Sequence, residues 1–365
     1  MCLLDRWCTL SCMADPAAIA ARIRQWAHQG PQGPMTLELY PTLKCNLDCR
    51  FCDTTERHQP RQDELPLQRH LDLVGEAAEM GVERVFILGG GEPLVARDLT
   101  PAIMQRVKDL GMEGVLTTNG TILPPSLLTQ LIESGWDEIH VSIDGATAEV
   151  HDDLRGQAGA FRKSVHNLCR LRVARERAQQ STPRLAIHTV LTKLNFRQLP
   201  ELVELAHALG CFRLDVDGLI AYRPEQKALE LDPLEREELV QVARIALARA
   251  ESLGLATTLA HYTQQALPKR GQAAPAAGPE PGLKGAPCLK AWHYLVVQAD
   301  GKTSPCCVLA GEGESIADQP LEQLWRESPF LESVRQGMEA GQPLKRCQEC
   351  SPNILAHERV IRSHL

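Results

Sequence analysis

Two periods of apolar and polar residues take turns along this chain. Runs of period two, or of continuous apolar character, predict strands over residues 35–40, 84–88, 114–118, 138–143, 185–191 and 213–219. Between them apolar residues recur at three- and four-residue spacing over 66–80, 97–110, 124–134, 159–178 and 198–209, and again over 233–253, which predicts helices. A shorter helix is expected over 14–29, with Asp15 as cap, Pro16 in its first turn and Gly30 after its end. Six strand–helix repeats imply parallel strands, because helical crossovers bring each strand back in the same direction with the helices outside.

The polar residues suggest how that sheet closes. A cysteine loop follows the first strand, Gly89-Gly90-Gly91-Glu92-Pro93 follows the second, Thr118-Asn119-Gly120 ends the third and Ser142-Ile143-Asp144-Gly145 ends the fourth. The sixth strand offers Asp215 and Asp217, with Tyr222 and Arg223 just beyond. Barrel enzymes assemble their sites at the carboxyl ends of successive strands. The expected fold class is therefore α/β, a partial (β/α)6 TIM-like barrel over 35–267 behind an N-terminal extension, 1–34.

From residue 268 the pattern lapses. Residues 268–287 are rich in Pro, Gly and Ala and read as a linker that cannot build a core. Beyond it, 288–365 carry Cys288, Cys306, Cys307, Cys347 and Cys350. Residues 292–298 read as a strand and Ala299-Asp300-Gly301-Lys302 as a hairpin turn, while an amphipathic stretch at 318–338 leads to the Cys347-Gln348-Glu349-Cys350 knuckle. Four thiolates drawn from a hairpin and a knuckle can close around a metal or a four-iron cluster. One of Cys306 and Cys307 is then surplus, since neighbours on a strand face opposite ways. A zinc knuckle that staples a small domain is the competing reading.

Cys45, Cys49 and Cys52 form a C-x3-C-x2-C loop. Three thiolates hold three corners of a cubane cluster and leave the fourth iron open to a ligand. With 13 Cys in 365 residues, chance produces that spacing only about 0.02 times per chain of this kind. Zinc would need a fourth ligand, for which Asp53 and His58 are at hand. Composition narrows the classes further: net charge −7, no Lys/Arg-dense stripe and 4% aromatic residues speak against a nucleic-acid partner. No stretch of 18 apolar residues and no export signal are present, so a cytoplasmic protein with neither membrane span nor membrane partner is expected. In a reducing compartment so many cysteines favour cluster ligation over disulfides. Cys2, Cys8 and Cys12 read as free thiols on a frayed terminus.

Taken in order, Cys45, Cys49 and Cys52 with Phe51, then Gly90-Gly91-Glu92-Pro93, Thr118-Asn119-Gly120 and Ser142-Ile143-Asp144 resemble the motifs of the radical S-adenosylmethionine (radical SAM) enzymes, over about residues 35–220. Cys288, Gly301 with four residues before Cys306, and Cys347-x2-Cys350 resemble that family's C-terminal SPASM/twitch extension. No Cys follows Cys350, so the resemblance implies one auxiliary cluster, held by Cys288, Cys306, Cys347 and Cys350 in a small hairpin-plus-helix domain, 288–365.

The implied cofactors are two [4Fe-4S] clusters, one catalytic and one auxiliary, and S-adenosyl-L-methionine. In the family, reductive cleavage of S-adenosylmethionine yields a 5′-deoxyadenosyl radical that abstracts a substrate hydrogen. The resemblance gives Cys45, Cys49 and Cys52 the catalytic cluster and places Phe51 near the adenine. Gly90 and Gly91 would let the backbone approach the methionine amine, with Glu92 or nearby carbonyls accepting from it. Ser142 and Asp144 would reach the ribose or carboxylate, Thr118 and Asn119 join the same set, and Arg155 would pair with the methionine carboxylate.

For the substrate, a carbohydrate, aminocyclitol or other small natural product, oxidised or epimerised, is the first expectation. A modified peptide is the second, because 34 residues before the first strand are too few for a winged-helix-like leader-binding domain. An electron donor such as flavodoxin or ferredoxin is the expected partner. A reading from another class is a non-catalytic iron–sulfur or zinc protein that transfers electrons or binds a partner.

Overall fold

The structure, a computed structural model, describes residues 15–52, 64–221, 223–264, 283, 286–350 and 352–365. Cys2, Cys8, Cys12, Asp53, His58, Tyr222 and most of the 268–287 linker lie outside the described residues.

Helix α1 (Pro16–Gln29) starts where the Asp15 carboxylate accepts from Ala17 N. The alternation then runs β1 (Thr36–Leu39), α2 (Leu67–Glu79), β2 (Arg84–Ile87), α3 (Leu99–Asp109), β3 (Glu113–Thr118), α4 (Pro125–Glu133) and β4 (Glu138–Ser142). It continues with α5 (Ala148–Arg155), α6 (Ala160–Arg177), β5 (Arg184–Leu191), α7 (Leu199–Ala208), β6 (Arg213–Gly218), α8 (Pro224–Lys227), α9 (Pro233–Leu253) and β7 (Ala256–Thr257). The tail adds β8 (Tyr294–Val297), β9 (Thr303–Ser304), α10 (Leu321–Glu327), α11 (Pro329–Glu339) and α12 (Pro352–Ser363).

All six expected strands form, as does the hairpin, with Gly301 at φ +82°. The 318–338 stretch divides into α10 and α11 because Pro329 cannot continue a helix and the Ser328 hydroxyl caps the new one by accepting from Leu331 N at 3.1 Å.

The nine strands make one sheet in the order β7-β6-β5-β4-β3-β2-β1-β8-β9, parallel throughout except for the β8–β9 hairpin. One face of each strand supplies Leu37, Val85, Leu116, Ile139, Ile187 and Leu214 to the main core, where helix residues such as Leu73, Ile103 and Leu202 meet them. By the two-residue alternation of strands, Glu38, Phe86, His140, His188 and Asp215 look the other way, into the barrel. Such a curved parallel sheet, helices outside and polar residues inside, is the expected partial barrel.

The tail enters this sheet directly. β8 pairs in parallel with β1 from Thr36↔Tyr294 to Leu39↔Val297, so it serves as the strand beyond β1. Ile19, Ala20 and Ile23 of α1 share a second core with Trp292, Leu309, Val334 and Ile361, so the N-terminal helix packs with the tail. Among the described residues no helix is long and apolar enough to cross a membrane.

Candidate active site

The cysteine loop after β1 is seated by backbone contact. Gly91 N donates to Thr42 O at 3.2 Å and Glu92 N to Lys44 O at 2.8 Å, and a Cβ at Gly91 would stand 2.1 Å from Lys44 O. On the far side Arg50 N donates to Leu154 O at 3.0 Å, and a Cβ at Gly156 would stand 2.1 Å from Asp48 O. Only glycine permits either approach. Arg223 Nη2 donates to Cys52 O at 2.8 Å and Gln226 Nε2 to Phe51 O at 3.2 Å, which ties the loop's end to the residues after β6. Cys45, Phe51 and Cys52 gather around buried Leu47, Cys49 and Ala160.

Glu92 is 2% exposed. Its carboxylate accepts from Thr118 Oγ1 at 2.7 Å, Leu94 N at 3.1 Å and Asn119 N at 2.6 Å. Burial pushes its pKa up and these hydrogen bonds pull against that push. Asn119 in turn donates to Asn46 Oδ1 at 2.9 Å in the cysteine loop. Glu92, Thr118 and Asn119, expected as cofactor contacts, thus spend these side-chain groups on one another and on the loop. A buried polar atom takes the partner that packing offers, here the end of the next strand.

Arg155 and Asp144 also find each other, as a buried ion pair at 2.5 Å. Asp144 Oδ1 accepts from Val190 N at 2.7 Å, while Arg155 Nη1 reaches Cys49 Sγ at 3.7 Å and the guanidinium lies 5.3 Å from the Phe51 ring centroid. Burial pushes the Cys49 thiol up to about 12, with Arg155 the leading opposing charge. Iron is bound by the thiolate, so a cluster seated here would have to displace that proton.

Ser142 ends β4 in register with His188 of β5. His188 escaped the sequence reading. Its Nε2 lies 2.7 Å from Asp217 Oδ2 at the mouth of the barrel. Burial disfavours the imidazolium, but the hydrogen bond and charge of Asp217, with Asp215 and Asp144 nearby, hold its pKa above the ordinary value. The available signal was its place on the polar face of a period-two strand.

In the tail, Cys288, Cys306, Cys347 and Cys350 line one cavity together with Val308 and Met338. Cys307 is absent from that lining and has Glu38 and Lys290 as charged neighbours. Of the two adjacent thiols, Cys306 therefore faces the other three cysteines. Burial pushes Cys347 up to about 11 and Cys350 up to about 12. Four thiols in an apolar cavity fit an iron–sulfur cluster, with one thiolate for each iron. Among the described residues no three His, Cys, Asp or Glu side chains are grouped closely enough to hold a single metal ion.

A barrel with three thiols at the end of its first strand, and a tail cavity ringed by four more, defines an iron–sulfur enzyme architecture. The profile of the Radical SAM superfamily matches residues 39–206, and that of SPASM, an iron-sulfur cluster-binding domain, matches residues 288–351. An AdoMet-dependent heme synthase of Methanosarcina barkeri is 30% identical over 299 residues, 80% of this chain and 82% of that protein. A PqqA peptide cyclase of Granulibacter bethesdensis is 26% identical over 323 residues, 86% of this chain and 79% of that one. Among solved structures, Streptococcus suis SuiB bound to S-adenosylmethionine superposes with a TM-score of 0.65 at 18% identity, covering 86% of this chain and 71% of SuiB. SuiB bound to its precursor peptide SuiA gives the same TM-score at 17% identity, covering 86% and 70%. The chain belongs to the radical SAM superfamily and carries a SPASM-type C-terminal region. It is an enzyme of S-adenosylmethionine with a catalytic [4Fe-4S] cluster and auxiliary iron–sulfur chemistry in the tail.

Proposed function

We propose that this enzyme modifies a peptide by abstracting a hydrogen atom from it. The observation that carries this reading is likeness to a PqqA peptide cyclase across 86% of the chain, barrel and tail together. The relatives named above are a heme synthase and a peptide cyclase, which weighs against the carbohydrate or aminocyclitol first expected from the sequence. A second reading, haem synthesis, is favoured by the 30% identity to the Methanosarcina barkeri protein.

In this proposal Cys45, Cys49 and Cys52 hold the catalytic cluster, and Cys288, Cys306, Cys347 and Cys350 the auxiliary one. The catalytic cluster and S-adenosylmethionine together supply hydrogen-abstracting radical chemistry. The protein's share is position. The Asp144–Arg155 pair sets a fixed charge arrangement beside Cys49. Glu92 keeps the β2 and β3 ends in register with the loop. His188 and Asp217 face the mouth with a proton held between Nε2 and Oδ2, ready to orient a polar group of the substrate.

Anaerobic reconstitution should load about eight irons per chain, and dithionite should then drive 5′-deoxyadenosine formation. Replacing Cys45, Cys49 and Cys52 together by Ala should abolish it. Incubation with short peptides encoded beside the gene, and separately with an iron porphyrin precursor, decides the substrate by mass spectrometry. A changed peptide mass supports the first reading and haem the second; no 5′-deoxyadenosine under any condition sinks the enzyme itself.

A further inference from the structure

The auxiliary cavity and the barrel share a wall, and a lysine stands in it. Lys290 begins the turn Lys290–Trp292 that leads into β8, and it lines the cavity with the four cysteines. Its Nζ lies 3.9 Å from the centroid of the Tyr294 ring. The Tyr294 hydroxyl donates to Glu38 Oε2 on β1, and the other oxygen, Glu38 Oε1, is buried without a partner. Lys290, Tyr294 and Glu38 are 4%, 4% and 5% exposed. Nearby, the Glu358 carboxylate accepts from Leu289 N at 2.8 Å and also meets the Cys288 thiol.

A lysine is almost never buried so deeply unless a negative charge meets it. Among the described residues Lys290 has no salt bridge within 4.0 Å, and its surroundings are an aromatic face, the carboxylates of Glu38 and Glu358 further off, and the sulfurs of Cys307, Cys306 and Cys288. Four cysteine thiolates on a cluster core add the missing negative charge. Adding an electron makes that assembly more negative still, and a nearby ammonium in a low-dielectric wall favours the more negative state. The Tyr294 ring, which attracts a cation to its face, helps hold the ammonium in that wall.

We propose that Lys290 is the counter-cation of the auxiliary cluster, and that it raises the cluster's affinity for an electron. The inference rests on the reading that Cys288, Cys306, Cys347 and Cys350 hold that cluster. In the one-electron step the cluster gains the electron, dithionite supplies it, and the lysine keeps its proton.

The test is a dithionite redox titration of the full-length, fully loaded chain, followed by electron paramagnetic resonance. The auxiliary signal is the one that survives replacement of Cys45, Cys49 and Cys52 by Ala. Lys290→Met should make reduction at least tenfold less favourable, about 59 mV lower for a one-electron couple. Lys290→Arg, which keeps the charge, should leave most of the potential in place, and the catalytic cluster should not shift with either. An auxiliary potential unmoved by Lys290→Met, or lowered equally by Lys290→Arg, overturns the proposal. Should Lys290→Met fail to load the auxiliary cluster, Glu38→Gln decides. Removing that competing carboxylate should raise the potential, and no change or a fall counts against the lysine. A wild-type chain that loads only about four irons refutes the ligand assignment instead.

Discussion

His151 shows what depth in this barrel does to one side chain. It is fully buried, and its Nδ1 accepts from Asp144 N at 3.1 Å. Burial, seconded by the charge of Arg155, pushes its pKa down to about 4. An unfolded chain titrates its histidines near 6.5. The folded state therefore binds the proton less readily, and the contribution is intact above pH 6.5 and shrinks as the pH falls toward 4. The loss is about 1.4 kcal/mol per pH unit in that window. Urea unfolding at pH 6.5 and pH 5 should show a drop about 2 kcal/mol larger in the wild type than in His151→Asn. Equal drops would mean that the imidazole is not buried in its neutral form.

At this scale the cysteines were legible because spacing alone betrays them. Glu92, Thr118 and Asn119 were legible as a motif but not in their hydrogen bonding, since a motif names residues and not partners. His188, Gln226 and Lys290 carry no motif at all. Their significance arises only when β5, α8 and the turn before β8 are brought beside the two cysteine sets.

Helix α5 is an element that the apolar periodicity passed over, because eight residues give barely two turns of pattern. Its end nonetheless seats the cysteine loop. Gly156 has φ +64°, and a Cβ there would collide with Asp48 O at 2.1 Å. Gly159, three residues on, has φ +80° and nothing within 4 Å. Gly156→Ala should therefore displace the loop and cut iron from about eight to about four per chain, whereas Gly159→Ala should lose only about 1–2 kcal/mol of stability and keep its iron. Iron and sulfide analysis of the two reconstituted variants separates collision from backbone strain. Similar loading in both would show that the loop does not depend on this contact.

Taken whole, the molecule was legible as a succession of repeats but not in how its edge is completed. The six alternations announce a barrel, and the hairpin announces a tail. Nothing in residues 292–298 tells that β8 will lie beside β1, because a pairing between strands so distant in sequence leaves no periodic trace. The resulting nine-stranded sheet spans barrel and tail, and α1 joins the tail's core. Unfolding of the cluster-free chain should accordingly be one event, because barrel and tail share one sheet. Tryptophan fluorescence, with Trp136 in the barrel core and Trp292 in the tail core, should follow far-ultraviolet circular dichroism through a single coincident transition. Two separated transitions would show that barrel and tail fold independently.

The four residue pairs between β1 and β8 also bear on how such enzymes can be cut and recombined. A gene truncated before residue 288 would leave β1 with a bare row of amide and carbonyl groups along its length. An open edge of that kind recruits other strands, including those of another copy, so the shortened barrel would tend to aggregate. A tail borrowed from a relative would have to deliver its own first strand in matching register before its cysteines could meet. Inheritance of the second metal site is in this sense inheritance of a strand.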